Sequence, residues 1–533
     1  MLNVRRKLRV RHAVRSLLLA ALAAGSTACA TLPLDVHHEL SHAWASPETS
    51  ALWREWGGAL AEHPGESGFL LLPEGLEAFT TRVELADRAE HTLDVQYYMI
   101  HPDDTGKLLL ARLVSAADRG VRVRLLVDDM YALRSDQDVE DLDQHPNLEI
   151  RIFNPWRWRN NKVAQGLESL IDHGRINHRM HNKLFVADNA ALVLGGRNLG
   201  DEYFQLDPNL DFRDLDVFAV GPIAREASRV FDEFWNSPWA VPIGDRKDLF
   251  PAKPNLQRMR AELSAHRVDM ESSPYAKAIA KSAMTRALHA GALPLVYATA
   301  SIVADPPDKV ESGGTHMRSS FMLARFDAKV PPPKKELLIS TPYFVPSHGA
   351  TKLLTAMVAR GVDVRVLTNS YLANDAAVVH SGYAPYRNNL LRGGVKLYEL
   401  KRRESGAEVE QRVQKLGFGS TNASLHTKAF VIDRELVFIG SLNLDPRSVL
   451  RNTEDGLIIH SRELAEQTAR LLQRAMSPEA SYEVQLRRPG GSRLVWITLR
   501  QGKLVRLEKE PGINWLQQLE LWFMRILPLE SQI

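Results

Sequence analysis

With 533 residues, 44% of them hydrophobic and 25% charged, the chain has the make-up of a soluble-type globular protein of two or more lobes. A net charge of +3 argues against a nucleic-acid binder that relies on bulk charge, leaving only local patches. A single cysteine excludes an intrachain disulfide.

Residues 1–28 read as a signal peptide. Arg5, Arg6, Lys7, Arg9, Arg11 and Arg15 form a basic region ahead of an apolar run from Ser16 to Ala24, which is short for a membrane span. The run ends in Ser26-Thr27-Ala28-Cys29, and Cys29 placed after small residues resembles a bacterial lipoprotein acylation site, with Ser26 where leucine is usual. The leader thus predicts an exported chain, lipid-anchored through Cys29 in a bacterial cell envelope. Residues 29–64, with Trp44, Trp53 and Trp56, read as an arm or linker.

A first lobe is expected over 65–250. An apolar run Gly68–Leu72 leads to a helix ending near Arg88, then a strand Thr92–Tyr98, a helix Gly106–Arg119, a stop at Gly120 and a strand Val121–Val127. Asn154 to Arg159 interleaves tryptophan with arginine, a pattern suited either to a packed loop or to a lipid interface. His173 and His178 lack the further ligands a zinc site needs, and no thiol cluster or concentration of carboxylates predicts a metal. Residues 251–330 read as a helical and loop connection, amphipathic from Leu256 to Ala290 and turn-rich from Asp305 to Gly314.

The second lobe, 331–533, repeats the first: strand Glu336–Thr341, helix Ala350–Arg360, Gly361, strand Val362–Thr368. Asn374, Asp375, His380, Tyr383 and Arg387 follow that strand, where open α/β sheets bind ligands. The chain closes on an aromatic tail carrying Trp515, Trp522 and Phe523. Two such lobes predict an α/β fold of two similar α/β/α sandwiches about a pseudo-two-fold axis, with the site at their interface.

The repeat extends to chemistry. Counting from His181 and from His426, Lys falls at +2 (Lys183, Lys428), Asp at +7 (Asp188, Asp433), Gly at +14 (Gly195, Gly440) and Asn at +17 (Asn198, Asn443). Each His and Lys share one face of a strand, whereas an unbroken strand turns the Asp away, so Asp188 and Asp433 fit a turn or structural place. Paired His, Lys and Asn make a cationic, donor-rich pocket for a singly charged phosphodiester. One imidazole can attack phosphorus while the other protonates the leaving alcohol, with Lys and Asn holding the non-bridging oxygens. A nucleophilic imidazole needs an acceptor for its other N–H. Asp214 and Glu454, in comparable places ahead of apolar strands, are the candidates to orient the histidines.

These motifs resemble the twin motifs of the phospholipase D superfamily, whose members work through a phosphohistidine. The segments Gly195–Phe204, Leu93–Tyr98 and Ala116–Val121 resemble its cardiolipin synthase C-like branch, and the likeness runs from about residue 65 to the C-terminus. It implies a catalytic set of His181, Lys183, Asp188, His426, Lys428 and Asp433, with Asn198, Asn443 and Ser441 binding phosphate and no cofactor. It implies His181 as nucleophile and His426 as general acid and then base. Gly196 stands where the family often has serine; Ser441 keeps it.

By the same resemblance the substrates are phospholipids, phosphatidylglycerol as acceptor and phosphatidylethanolamine or phosphatidylglycerol as donor, met at a membrane surface. An accessory protein is compatible with the branch. Capture of the phospho-enzyme by water would instead yield phosphatidic acid. A nuclease-like phosphodiesterase and a non-enzymatic lipid-binding lipoprotein are the rivals; the mild charge and leader weigh against the first, and the intact motif pairs against the second.

Overall fold

The computed structural model describes residues 39–131, 136–159, 162–244, 253–311, 321–374, 377–402, 420 and 422–514. The leader with Cys29, Asp375, residues 313–314 and the aromatic tail from 515 lie outside the described residues.

The first lobe is built on β1 (Ser67–Leu72), β2 (Thr92–Met99), β3 (Arg122–Tyr131), β4 (Leu148–Phe153), β5 (Leu184–Ala187), β6 (Ala191–Gly195), β7 (Asp211–Arg213), β8 (Asp216–Val220) and β9 (Ala240–Pro242). Hydrogen bonding orders the sheet β9-β4-β3-β2-β5-β6-β8-β1, with β2, β3 and β4 parallel and the other neighbours antiparallel. The helices that matter here are α1 (Gly75–Arg88), α2 (Asp104–Asp118), α3 (Lys162–Ile171), α4 (Pro222–Trp235) and α5 (Leu256–Glu271). Helix α2 starts where the Asp103 carboxylate accepts the Gly106 N–H at 3.0 Å. It stops before Gly120, whose φ of 95° is the left-handed turn that a side chain resists.

The second lobe repeats this with β10 (Val296–Ala304), β11 (Glu336–Ser340), β12 (Asp363–Asn369), β13 (Lys396–Leu400), β14 (Ala423–Leu425), β15 (Ala429–Ile432), β16 (Leu436–Gly440), β17 (Asp455–His460) and β18 (Ser481–Leu486). Its order is β18-β13-β12-β11-β15-β16-β17-β10, again with three parallel strands, β11 to β13. Helices α6 (Ser347–Ala359), α7 (Pro446–Leu450) and α8 (Arg462–Ala475) belong to it. Two strands with no counterpart among the described residues of the first lobe, β19 (Leu494–Arg500) and β20 (Lys503–Leu507), extend its edge.

The expected connection over 251–330 is helical where foreseen, but it also contains β10. This strand is the second lobe's equivalent of β1. Its first residues pair antiparallel with β1 (Gly68↔Tyr297) and its last with β17 (Ile302↔Leu457), so the two sheets fuse at their shared edge. The run Val-Tyr-Ala-Thr-Ala-Ser-Ile-Val-Ala lacks clean alternation because one end is half-exposed and the other buried.

Three cores follow. Helices α1, α2 and α5 cover the outer face of the first sheet. Another cluster covers the outer face of the second. Between them one apolar cluster runs across both lobes, from Leu184, Leu194, Phe231 and Trp235 to Val431, Leu457 and Leu472, with α4 and α8 inside it. Across the same boundary β7 and β14 pair in parallel (Phe212↔Ser424).

Candidate active site

Each motif is delivered by a hairpin. His181-Asn182-Lys183 runs into β5, β5 pairs with β6, and Gly195 to Asn198 returns to the level of His181; β15 and β16 do the same for His426, Lys428, Gly440 and Asn443. Asp188 and Asp433 occupy the hairpin turns with φ of 53° and 51°. The Asp188 carboxylate accepts the backbone N–H groups of Glu90, His91 and Thr92 at 2.8–2.9 Å. That of Asp433 accepts those of Lys334, Lys335 and Glu336 at 2.7–2.9 Å. Grouped by resemblance with the catalytic residues, both instead tie a turn to the next strand, as strand parity predicts, and neither lines the pocket.

The histidines are oriented across the lobe boundary. His181 Nδ1 lies 2.7 Å from Glu454 Oε2, and His426 Nδ1 lies 2.5 Å from Asp214 Oδ2. The lobes are stitched at these points: His181 N–H donates to the Thr453 carbonyl, Thr453 N–H to that of Arg179, and His426 N–H to that of Arg213. The two orienting carboxylates foreseen in the sequence thus serve the opposite lobe's histidine.

Both imidazoles, nearly buried, open on one cavity of about 660 Å³, lined also by Tyr98, Met99, Asn198, Tyr203, Phe212 and Tyr343. Tyr98 meets His181 edge-on at 5.1 Å, and Tyr203 meets His426 likewise at 5.1 Å. Burial first, then the Lys183 and Lys428 charges, hold both imidazoles well below their ordinary pKa. With a carboxylate accepting at Nδ1, each neutral ring carries its proton there and presents an Nε2 lone pair to the cavity. Burial raises Glu454 to about 7 and also raises Asp214.

Lys183 Nζ and Lys428 Nζ fold back to donate to the carbonyls of His181 and His426, at 2.5 and 2.7 Å. Burial lowers Lys183 to about 7. Asn198 Nδ2 lies 2.9 Å from Tyr203 Oη, while the Asn198 and Asn443 amide oxygens are buried with no hydrogen-bond partner. Turning over the Asn198 amide would let its oxygen accept the tyrosine O–H and free its N–H groups for a phosphate oxygen.

Ser441 departs from expectation. Its fully buried hydroxyl donates to Glu454 Oε2 at 2.5 Å and accepts the Asp455 N–H at 2.9 Å, so it positions a carboxylate and is not a phosphate ligand. Ser448, at the start of α7, donates to the other Glu454 oxygen. In the first lobe Gly196 takes the place of Ser441: a Cβ there would fall 2.3 Å from Asp214 Oδ1.

Several site residues escaped the sequence. Asp455, raised by burial to about 7, sits behind Lys183. His101, Asp103, Asp201 and Glu202 form an acidic rim to the cavity. His101 Nδ1 is 3.2 Å from Glu202 Oε1, a bond that raises the imidazole's pKa. His101, Asp103 and Glu202 are also, among the described residues, the one group spaced to hold a metal ion. The tract Gly200–Phe204 carried family likeness, but its catalytic neighbourhood depends on the loop after β6 folding back over β2. His380 and Arg387 do not reach the cavity; both bond Glu510, at 2.6 and 2.7 Å, in a buried network with Glu399 and Trp496.

The family model described as "Cardiolipin synthase, PLD-like domain" matches residues 83–235 and 331–476. Cardiolipin synthase C of Escherichia coli (strain K12) is 39% identical over 472 residues, 88% of this chain and 97% of that protein. Cardiolipin synthase of Halalkalibacterium halodurans is 25% identical over 72% of this chain and 61% of its own length. In fold, the chain is similar to phosphatidylserine synthase of Haemophilus influenzae, with a TM-score of 0.53 at 14% identity over 90% of this chain and 100% of that one.

Proposed function

The chain belongs to the phospholipase D-like cardiolipin synthase family, and from that premise we propose that it makes cardiolipin by moving a phosphatidyl group onto phosphatidylglycerol. It is a phospholipase D-type phosphatidyltransferase. The observation that carries the proposal is the crossed pair of histidine–carboxylate dyads facing one cavity.

In the first step His181 is neutral and His426, protonated at both nitrogens once the phosphodiester anion is bound, is the acid: His181 Nε2 attacks the donor's phosphorus, the P–O bond to the headgroup breaks, and His426 Nε2 gives its proton to the departing alcohol. Glu454 accepts the His181 Nδ1–H throughout and offsets the charge gained by the ring. In the second step His426 takes the proton from a phosphatidylglycerol hydroxyl, the new O–P bond forms and the His181–phosphorus bond breaks. Lys183, Lys428, Asn198 and Asn443 stabilise the non-bridging oxygens as charge builds on them. The roles of the two histidines follow the family resemblance. The acidic rim offers acceptors for headgroup hydroxyl or ammonium donors. Aromatic walls from Tyr98, Tyr203, Phe212 and Tyr343 limit access of water, which would divert the intermediate to phosphatidic acid. Acylation of Cys29 in a bacterial envelope would keep the enzyme beside its substrates.

The test uses membranes from cells without other cardiolipin synthases, expressing the wild type or His181→Ala. Labelled cardiolipin from the wild type, reduced roughly a thousandfold or more in the variant, is expected. Phosphatidic acid without cardiolipin would make the chain a hydrolase, and neither product would reject phosphatidyl transfer.

A further inference from the structure

Helix α3 turns apolar side chains outward. Its carboxylate, Glu168, is only 2% exposed and is held inward by the backbone N–H groups of Arg157 and Trp158 and by Arg175, whereas Val163 and Leu167 are 75% and 52% exposed. Trp158, on the loop leading into the helix, is 46% exposed. Val163 and Leu167 are one turn apart, so they share a face, and Gly166 between them is exposed too. Arg159, beside Trp158, is also turned inward, its guanidinium nearly buried against Asp129. A surface helix normally turns its charges outward; here Val163 and Leu167 face out while the Glu168 carboxylate faces in.

The location says which environment. The segment leaves the C-terminal end of β4, and the cavity opens at the C-terminal end of β2, two strands away in the same parallel set. In the second lobe the end of β11, the counterpart of β2, leads to Tyr343, which lines the cavity, and the end of β12, the counterpart of β3, leads to Leu372, 43% exposed. The patch is also joined firmly to the catalytic strand: Trp156 N–H donates to Asp129 at 2.6 Å, Arg179 lies over the Trp156 ring at 5.8 Å, and His181 is two residues on. A substrate with two or more acyl chains stays in its bilayer, so the cavity mouth has to come to the membrane.

We propose that Trp158, Val163 and Leu167 dock the rim of the cavity onto a phospholipid bilayer, entering the headgroup–acyl boundary. This rests on the phospholipid reading of the site. Trp158 supplies the ring suited to that boundary, and the two aliphatic side chains supply apolar area to bury.

The experiment uses the full chain with Cys29→Ser, so that no acyl anchor contributes and no other cysteine remains. A polarity-sensitive fluorophore is placed at Val163→Cys, or at Val268→Cys on the outer helical layer as a control, and vesicles of phosphatidylethanolamine and phosphatidylglycerol are added. Emission at position 163 is expected to shift to the blue and to be quenched by bilayer-buried spin labels, while position 268 stays as in buffer. In the unlabelled chain, the combined change Trp158→Ser, Val163→Ser and Leu167→Ser should lower turnover of vesicle lipid roughly tenfold or more and leave turnover of a short-chain, monomeric phospholipid unchanged. A probe at 163 that stays solvent-like with unchanged vesicle turnover would overturn the docking face, and so would a blue shift that needs protein concentration and no vesicles, which would mean a second copy covers the patch. Vesicle docking at 163 by a chain that converts neither lipid form would sink the phosphatidyl-transfer reading and leave docking standing.

Discussion

At the scale of single residues the two half-sites solve one problem differently. Glu454 reaches His181 with a side chain one methylene longer than that of Asp214, and the extra length leaves room for the Ser441 Cβ and hydroxyl beside it. Asp214 is drawn back against the backbone at Gly196, where a Cβ would overlap its carboxylate at 2.3 Å. Gly196→Ser should therefore push Asp214 off His426 and lower kcat by roughly a hundredfold. The double variant Gly196→Ser with Asp214→Glu, which copies the other half-site, should regain part of that loss. No recovery in steady-state assays would refute the size-matching account. Protonation gives a second prediction at this scale. His426 must hold a proton to act as general acid, and burial beside two lysines strips that proton at unusually low pH. Lys183, lowered to about 7, loses its charge in the same direction as pH rises. A bound phosphodiester anion favours the protonated form of both groups, raising both pKa values. The alkaline limb of kcat should thus lie at higher pH than that of kcat/KM; coincident limbs in pH–rate profiles would contradict it.

At the scale of elements, the hairpin that carries each motif depends on its turn aspartate. The Asp433 carboxylate collects three backbone N–H groups that begin β11, and these bonds hold its pKa low even though burial opposes them. Its positive φ is a conformation that aspartate and asparagine tolerate better than alanine. Asp433→Ala should destabilise the fold by about 2 kcal/mol and Asp433→Asn by about 1 kcal/mol, measured by urea unfolding. The sign with pH follows from the depressed pKa: the stabilisation is present above the unfolded-state value and is lost as pH falls through the folded one, so the gap between wild type and Asp433→Ala should narrow in acid. Strand parity exposed this role in the sequence, since +7 cannot face the way +2 does. The β-α-β runs were legible for a similar reason, because their apolar periodicity and terminal glycines are local. Strand β10 was not, since what buries it is a long-range pairing with β1 and β17. Nor was the exchange of Asp214 and Glu454 between lobes: their positions beside the motifs fitted an orienting role, but which histidine each one serves is decided only when the lobes close. The phosphate-binding role of Ser441 was implied by the family resemblance, and only Glu454's arrival from its own lobe commits the hydroxyl elsewhere.

At the scale of the whole molecule, the fused sheets and the shared core predict that the lobes unfold as one thermodynamic unit. Leu457 on β17 is fully buried in the cluster that runs from α4 to α8, and β17 touches β10, which touches β1. Truncating it removes contacts from the layer both lobes share. Leu457→Ala should cost about 3 kcal/mol through lost transfer energy and an unfilled cavity. If unfolding is cooperative across the boundary, that cost appears everywhere the slowest amides exchange through global opening. Native-state hydrogen exchange should then show protection falling by the same factor, roughly 150-fold, in β3 of the first lobe and in β12 of the second. A loss confined to β12 would mean that the lobes open independently. The distinction bears on function, because each histidine has its orienting carboxylate in the other lobe: a lobe that opened alone would take one member from both dyads and silence both halves of the site at once. A shared core that forbids such openings keeps His181 and His426 aligned through both halves of the transfer, during which the intermediate has to outlast the exchange of one alcohol for another.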